Sequence, residues 1–390
     1  MRKKFAWFSL SLAIAILTAS PSTLARVPLQ PVSPSYTQKT TNSLGFDEQL
    51  WGSLAQRGDR EALLTSIDHS LGYLNTPAAV RAYRQYPVRG VTLSRVRRSL
   101  VRFRELLLTA NSPAELQAAI NREFVFYQSV GNDNQGTVYF TGYFEPIYAA
   151  SRTPSPEYRY PIYRRPANFE SWHKPHPTRA QLEGADGMGL NSPLRGQELF
   201  WLRDRFEAFL VHIQGSSRLH LSDGSTVTIG YAGSTDYPYN SVGRELAKDG
   251  KLALNGMTLP VMSNYFNNNP HLMSQYLPRN KRFIFFKETY GKPPIGSLQI
   301  PVTAERSIAT DKSLMPPGAL ALIHAPIPFS NANGQLEYRT VSRYVLDQDT
   351  GSAIKGTGRV DYFIGTGQVA GVRAGSIGGR GKLYYPLLKN

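Results

Sequence analysis

Asp349-Thr350-Gly351-Ser352-Ala353-Ile354-Lys355-Gly356 leads into Arg359-Val360-Asp361-Tyr362-Phe363-Ile364 and on to Gly365-Thr366-Gly367. The middle segment reads as a β-strand, and aspartate is a residue type that strands avoid. Burial beside Tyr362 and Phe363 would disfavour a charged carboxylate at Asp361 and raise its pKa. A carboxyl group that keeps its proton near neutral pH suits protonation of a glycosidic oxygen. A buried aspartate that hydrogen-bonds a loop would fit the same pattern. The glycines after Asp349 permit a tight turn, and Asp349 either orients and polarises Asp361 or caps that turn.

Working outward, the last hundred residues alternate strand signals with Gly and Pro turns, as in a compact barrel. Before them, Phe283-Ile284-Phe285-Phe286 reads as a strand, and Gly291 to Gly296 as a break. A helix is expected from Ser241, with Val242, Leu246 and Leu252 facing inward, and another over His271 to Tyr276. Leu219-His220-Leu221 and Thr226-Val227-Thr228-Ile229 flank Ser222-Asp223-Gly224-Ser225, a hairpin pattern. Phe209 to Ile213 reads as a buried strand. Val138-Tyr139-Phe140 starts a strand that Thr141 to Pro146 is expected to end at a turn. From Phe46 to Tyr127 the pattern is helical, with Leu93, Val96, Leu100, Phe103 and Leu107 at three- and four-residue steps. Arg95, Arg97, Arg98, Arg102 and Arg104 form a solvated face there or one that meets a polyanion. Arg26 to Thr41, rich in Pro, Ser and Thr, reads as a linker. Met1 to Ala25 has a basic start, an apolar run and small residues near a cleavage point, the pattern of a secretory signal. The apolar run is too short for a transmembrane helix, so none is expected in the mature chain.

The 390 residues carry 44 basic and 28 acidic side chains, a net charge of +16, and no cysteine. Disulfides, thiolate metal sites, a cysteine nucleophile and a lipid-modified cysteine are thereby excluded. A basic exported protein fits an anionic polymer better than nucleic acid. Neither a Gly-rich phosphate loop nor a nucleophile elbow is present. His173 and His176 lie in a Lys-Pro loop and lack a third metal ligand, and His212 reads as a core histidine. Asp223 is a turn former, Asp311 a turn or cap residue, and Glu145 a residue that could rim a cleft.

Four ordered stretches then carry a resemblance to the membrane-bound lytic murein transglycosylase A family. They are Phe140-Thr141-Gly142-Tyr143-Phe144-Glu145-Pro146; His212-Ile213-Gln214-Gly215-Ser216-Ser217-Arg218-Leu219; Tyr231-Ala232-Gly233 with Ser241-Val242-Gly243-Arg244; and Asp349 to Gly356 with Asp361, Gly365-Thr366-Gly367 and Ala370-Gly371. Pro316-Pro317-Gly318 also resembles the family's C-terminal barrel segment. The resemblance implies a mainly β fold with helical additions: a double-psi β-barrel domain, a smaller β-rich inserted domain, and a groove between them. Residues 42–146 and 291–390 would form the barrel domain with its N-terminal helices, and 147–290 the insert.

It further implies cleavage of the β-1,4 bond between N-acetylmuramic acid and N-acetylglucosamine in peptidoglycan. The muramic acid's own C6 hydroxyl attacks C1 and leaves a 1,6-anhydro ring. One carboxylate then suffices, where a hydrolase needs two. By motif, Asp361 is the acid/base and Asp349 assists. Thr141, Gly142, Tyr143, Gln214, Ser216, Tyr231 and Lys355 are expected to line the groove, the tyrosines stacking on sugars and Gln214 and Ser216 binding acetamido groups. No cofactor and no metal are expected. The expected partner is the glycan strand, with room for other cell-wall enzymes; the chain is expected to be monomeric and to sit in the periplasm or cell envelope, with outer-membrane association left open. Ser217 and Ser352 stand where glycine is commoner. A non-catalytic wall-binding barrel, or a true hydrolase using Glu145 or Asp349 as second carboxylate, are the rival readings.

Overall fold

The computed structural model describes residues 27–32, 45–53, 56–254, 257–331 and 333–389. The expected secretory signal, Met1 to Ala25, lies outside the described residues. The strands are β1 (Leu29–Pro31), β2 (Gly52–Ser53), β3 (Gln56–Arg57), β4 (Phe124–Ser129), β5 (Val138–Glu145), β6 (Ile147–Ser151), β7 (Tyr160–Tyr163) and β8 (Glu198–Leu202). They continue with β9 (Ser216–Leu221), β10 (Thr226–Ser234), β11 (Ile284–Glu288), β12 (Ser307–Ala309), β13 (Leu320–Ser330), β14 (Leu336–Asp349), β15 (Arg359–Thr366) and β16 (Gly378–Leu388).

Six strands, in the order β16-β13-β14-β12-β15-β5, close because β5 pairs back onto β16. Two of the pairings are parallel, β12 with β14 and β15 with β5. Such pairs need long crossover connections, so they join residues far apart in sequence. Closure removes the free edges that an open sheet would expose. On the outer side of β16, β4 pairs antiparallel and β1 follows it. β1 therefore uses part of the stretch expected to be a linker; Leu29 is 1% exposed, and its burial against the barrel explains the order there. A second sheet, β11-β10-β9-β6-β8-β7, holds the middle of the chain, with the expected hairpin between β9 and β10 in register His220 to Thr226.

The helices of this stretch are Arg60–Leu74, Pro77–Arg84, Leu93–Thr109 and Pro113–Glu123, and the last three start where the sequence supplies caps: Thr76, Thr92 and Ser112 each accept a backbone N–H three residues on. Leu100, Phe103 and Leu107 are fully buried, so the 3.6-residue pattern does face the core. The helical stretch ends at Glu123 rather than Tyr127, because Phe124 to Ser129 join the sheet as β4. Of the five arginines on the third helix, Arg95 is buried on Leu388 O and Tyr127, Arg102 pairs with Glu105 and Glu123, and Arg104 pairs with Asp68. Arg97 and Arg98 stay exposed and make no ion pair among the described residues.

Two strand readings change. Phe209 to Ile213 belong to the helix Arg205–Gln214, capped by Asp204 and ended by Gly215 in the left-handed region at φ 80°. That helix is buried on most sides, including Phe206, Phe209, Leu210, Val211 and His212, so no polar stripe betrays its period. The strand from Val138 does not turn at Thr141. It runs on to Glu145 because β15 lies alongside, pairing Thr141 with Asp361 and Tyr143 with Phe363.

One buried cluster ties the N-terminal segment to the barrel. The Arg306 side chain is fully buried. It donates to Asp59 through Nε (2.8 Å) and a terminal nitrogen, to Asp47 (2.5 Å) and to Tyr344 O (2.8 Å). Asp47 also receives Arg343 (3.2 Å) and the Tyr344 N–H (3.0 Å). Gln348 extends the seam, donating to Ser66 O and Ser70. Removing one partner of a buried ion cluster strands the rest. Asp47→Ala is therefore expected to lower unfolding stability by about 3–5 kcal/mol, read from urea denaturation; a loss below about 1 kcal/mol would show that the segment is not held this way.

Candidate active site

Parallel pairing of β5 and β15 sets three rows of outward side chains: Tyr139 with Arg359, Thr141 with Asp361, and Tyr143 with Phe363. In the middle row the Thr141 hydroxyl donates to Asp361 Oδ1 at 2.7 Å. In the last row the rings of Tyr143 and Phe363 stand 5.0 Å apart. Asp361 is half-buried. Burial is the main cause pushing its pKa up to about 6; the nearby Asp349 charge adds to the rise, while Thr141 and Arg359 oppose it.

Asp349 ends β14. Its Oδ1 accepts the N–H groups of Ser297 and Thr350, both at 2.8 Å. Burial raises its pKa, against those two bonds and the charge of Lys312. Asp349 thus caps its turn, and its charge also bears on Asp361. Lys312 binds the Asp349 carbonyl oxygen and the fully buried Asp347. Asp347 also accepts from Thr310 (2.8 Å) and Tyr385 (2.7 Å). The Tyr143 hydroxyl is buried close to Asp349 but short of hydrogen-bonding geometry.

The remaining expected residues fall into separate places. Gln214, last in its helix, accepts the Phe144 N–H at 3.2 Å and so joins the helix to β5. Ser216 opens β9 opposite Gly230, which places it beside Tyr231 on the second sheet. Tyr231 is 50% exposed, with its hydroxyl on Ser234 at 3.1 Å. It presents an open ring, whereas Tyr143 is half-buried against Phe363 with its hydroxyl enclosed. At Gly142 the space for a Cβ is filled by Ala374 and Ile377, so no side chain fits there. Lys355 is exposed on the loop before β15, where its charge bears on Asp311.

Glu145 does not rim a cleft. It is 1% exposed and accepts from Thr366 (2.8 Å) and Arg218 (3.4 Å). It sits at the seam between barrel and second sheet, where Ser217 donates to Pro146 O at 3.1 Å. Ser217 therefore fastens the seam and is fully buried; Ser352 is exposed on its loop. Asp311 takes the expected cap role, accepting Gly356 N (2.9 Å) and the Ser313 hydroxyl (2.7 Å), which fixes the loop leading to Asp361. Asp223 accepts Ser225 N at 2.8 Å, as a turn former does. His212 accepts the Ile284 N–H inside the core, and His176 accepts Asp236 N against the rings of Phe169 and Trp172.

Two residues near Asp361 escaped the sequence reading. Arg359 lies two positions before it, on the same face of β15 by the period of a strand. Tyr239, in the loop before the helix Val242–Lys248, has a hydroxyl pKa raised by burial and by the charge of Asp361. The only signal for it is the aromatic run Tyr237-Pro238-Tyr239 just ahead of the Ser241 cap.

A closed six-stranded barrel, a second sheet entered through Glu145-Pro146, and a protonatable aspartate on the strand beside that entry define a barrel-plus-insert class. Residues 139–287 match the family model described as the MltA specific insert domain, and 306–387 match the 3D domain. The chain belongs to the membrane-bound lytic murein transglycosylase A family: it is 33% identical over 264 residues to the protein of that name from Vibrio cholerae, covering 67% of this chain and 68% of that one. The Escherichia coli protein of the same name is 30% identical over 251 residues, 64% and 65% of the two chains. Among solved structures, E. coli MltA with bound chitohexaose superposes with a TM-score of 0.65 at 25% identity, covering 84% of this chain and 90% of that one. A membrane-bound lytic murein transglycosylase from Agrobacterium tumefaciens gives 0.68 at 24% identity, covering 92% and 97%. No helix among the described residues is long and apolar enough to cross a membrane.

A carboxyl that ionises near 3.8 in an unfolded chain and near 6 in the fold loses native stability as pH rises between those values, because the unfolded state ionises first. Asp361→Asn removes that penalty. At pH 7 the variant is expected to be more stable than wild type by about 1–2 kcal/mol, after discounting for partial exposure. The difference should fade towards pH 4 in thermal unfolding. A constant difference across that range would mean Asp361 ionises normally.

Proposed function

We propose that the protein is a peptidoglycan lytic transglycosylase that cuts the N-acetylmuramic acid to N-acetylglucosamine β-1,4 bond with Asp361 as its single acid/base. The observation that carries this is the environment of Asp361: half-buried, held by Thr141 at 2.7 Å, and with its pKa raised to about 6. Such a group keeps a protonated fraction near neutral pH yet can also serve as a base.

The protonated Asp361 gives its proton to the oxygen leaving with N-acetylglucosamine, and the C1–O bond breaks. The Asp361 carboxylate then takes the proton from the C6 hydroxyl of the muramic acid, whose oxygen bonds to C1. The ring closes to the 1,6-anhydro product, no water is consumed and the acid is restored. Asp349, facing Asp361, raises its proton affinity and stabilises positive charge developing at C1. A hydrolase would need a second free carboxylate across the bond. Glu145 is enclosed by Arg218 and Thr366, and Asp349 Oδ1 is occupied by two backbone N–H groups, which favours the anhydro route. Tyr231, Ser216 and Gln214 on the facing side would contact the glycan, and Lys355 lies at the margin. The substrate goes with export to the cell envelope and with the net charge of +16.

Mass spectrometry of products from purified peptidoglycan tests this. Wild type is expected to release muropeptides lighter by one water, and Asp361→Asn to release none while still binding the wall. Reducing-end products would mean hydrolysis, and absence of products from wild type would leave a wall-binding barrel.

A further inference from the structure

Arg359 stands one row from Asp361 on the same strand face, and nothing so far gives it a part in the reaction. Its guanidinium lies over the Tyr139 ring, 5.1 Å from the centroid. From there a terminal nitrogen donates to Thr141 Oγ at 3.0 Å. Its Nε is buried and has no hydrogen-bond partner. The Thr141 hydroxyl has one proton to give, and of its two acceptors Asp361 Oδ1 at 2.7 Å is much nearer than Val360 O at 3.5 Å.

These bonds have a direction. A guanidinium can only donate, so it fills one of the two acceptor lone pairs of Thr141 and biases that hydroxyl towards donating to Asp361. The carboxyl oxygen that accepts this hydrogen bond is the poorer acceptor for the carboxyl's own proton, which is left to the other oxygen. Resting on the reading of Asp361 as acid/base, we propose that Arg359 is a positioning residue: through Thr141 it fixes Asp361 Oδ1 as an acceptor and so assigns the transferred proton to Oδ2. Stacking on Tyr139 holds the planar fork in place, which a lysine ammonium would not reproduce.

The chain Arg359–Thr141–Asp361 also favours the charged carboxylate, by an opposing charge and a donated hydrogen bond. The other groups facing Asp361 are Asp349, which adds negative charge, and the hydroxyls of Tyr143 and Tyr239, whose pKa values are raised first by burial and also by nearby carboxylates. From β12, Ala309 pairs with Asp361 and brings no charge. Arg359 is thus the one cation bearing directly on the acid among the described residues. It sets how far burial and Asp349 can raise its pKa. A general acid loses activity as pH rises through its pKa. Losing Arg359 or the Thr141 hydroxyl must therefore move the alkaline limb of the rate profile to higher pH, not lower.

The test uses the full chain with two readouts. The first is the pH dependence of anhydro-muropeptide release by wild type, Arg359→Gln, Arg359→Lys, Thr141→Val and the Arg359→Gln/Thr141→Val double variant. The second is NMR titration of 13C-carboxyl-labelled aspartate, with Asp361→Asn assigning the signal. Arg359→Gln and Thr141→Val are each expected to raise the Asp361 midpoint and alkaline limb, to lower kcat about tenfold, and to change KM less than about twofold. The double variant should be little worse than either single one, because both break the same chain. Arg359→Lys should restore the midpoint in part but not kcat. An unmoved NMR midpoint, or a raised KM with unchanged kcat, would make Arg359 a substrate grip or a structural residue and end this proposal. Additive losses in the double variant would end it too. Failure of the underlying reading looks different: wild type would yield no anhydro product whatever the titration shows.

Discussion

The parallel pairing of β5 with β15 is the constraint on which the rest turns. It brings Thr141 against Asp361 across 220 positions of sequence, and parallel neighbours cannot be joined by a hairpin. The intervening chain has to leave the barrel and return. It leaves at Glu145-Pro146 into β6 and returns after β11, so the second sheet is built into the barrel's own connection. The same pairing makes Asp361 face outward while Val360, Tyr362 and Ile364 fill the core.

Closure of the barrel is supported from two sides. Underneath, Arg306 gathers Asp47 and Asp59 and locks the N-terminal segment onto β12 and β14. Next to the site, Lys312 spans Asp347 and the Asp349 carbonyl oxygen, so the end of β14 that carries Asp349 is fixed from within. Hydrogen-bonded charges of this kind are costly to bury and costly to break, which gives the surrounding backbone one arrangement rather than several. Rigidity in the shell that holds an acid is what keeps its pKa and its aim constant.

The proposed chemistry rests on opposed influences on one carboxyl. Burial and Asp349 raise the proton affinity of Asp361, while Thr141 and Arg359 lower it, and the balance falls near 6. Burial and Asp349 alone would hold the proton to higher pH, and Thr141 and Arg359 alone would release it at lower pH. A single group can then give and take the same proton, provided the nucleophile comes from the substrate.

Much of this was legible in the residues themselves. Asp361 stood out because an aspartate in an aromatic strand conflicts with strand propensity, and Asp223, Asp311 and the Ser241 cap announce themselves by local turn and cap chemistry. Local rules failed where burial is all round, as in the helix Arg205–Gln214, whose period is hidden because both faces are apolar. They failed again at Thr141, where Gly142 and Pro146 look like a turn but a distant strand holds the chain extended. The sequence by itself determined which residues could carry a proton, cap a turn or pack a core, since those depend on side-chain chemistry and nearest neighbours. Only the tertiary structure decided that Glu145 is enclosed, that Gly142 yields its space to Ala374, that Arg359 reaches Thr141, and that Tyr239 stands near Asp361. Those outcomes are set by strand register and by contacts between segments some seventy residues or more apart, which no local pattern encodes.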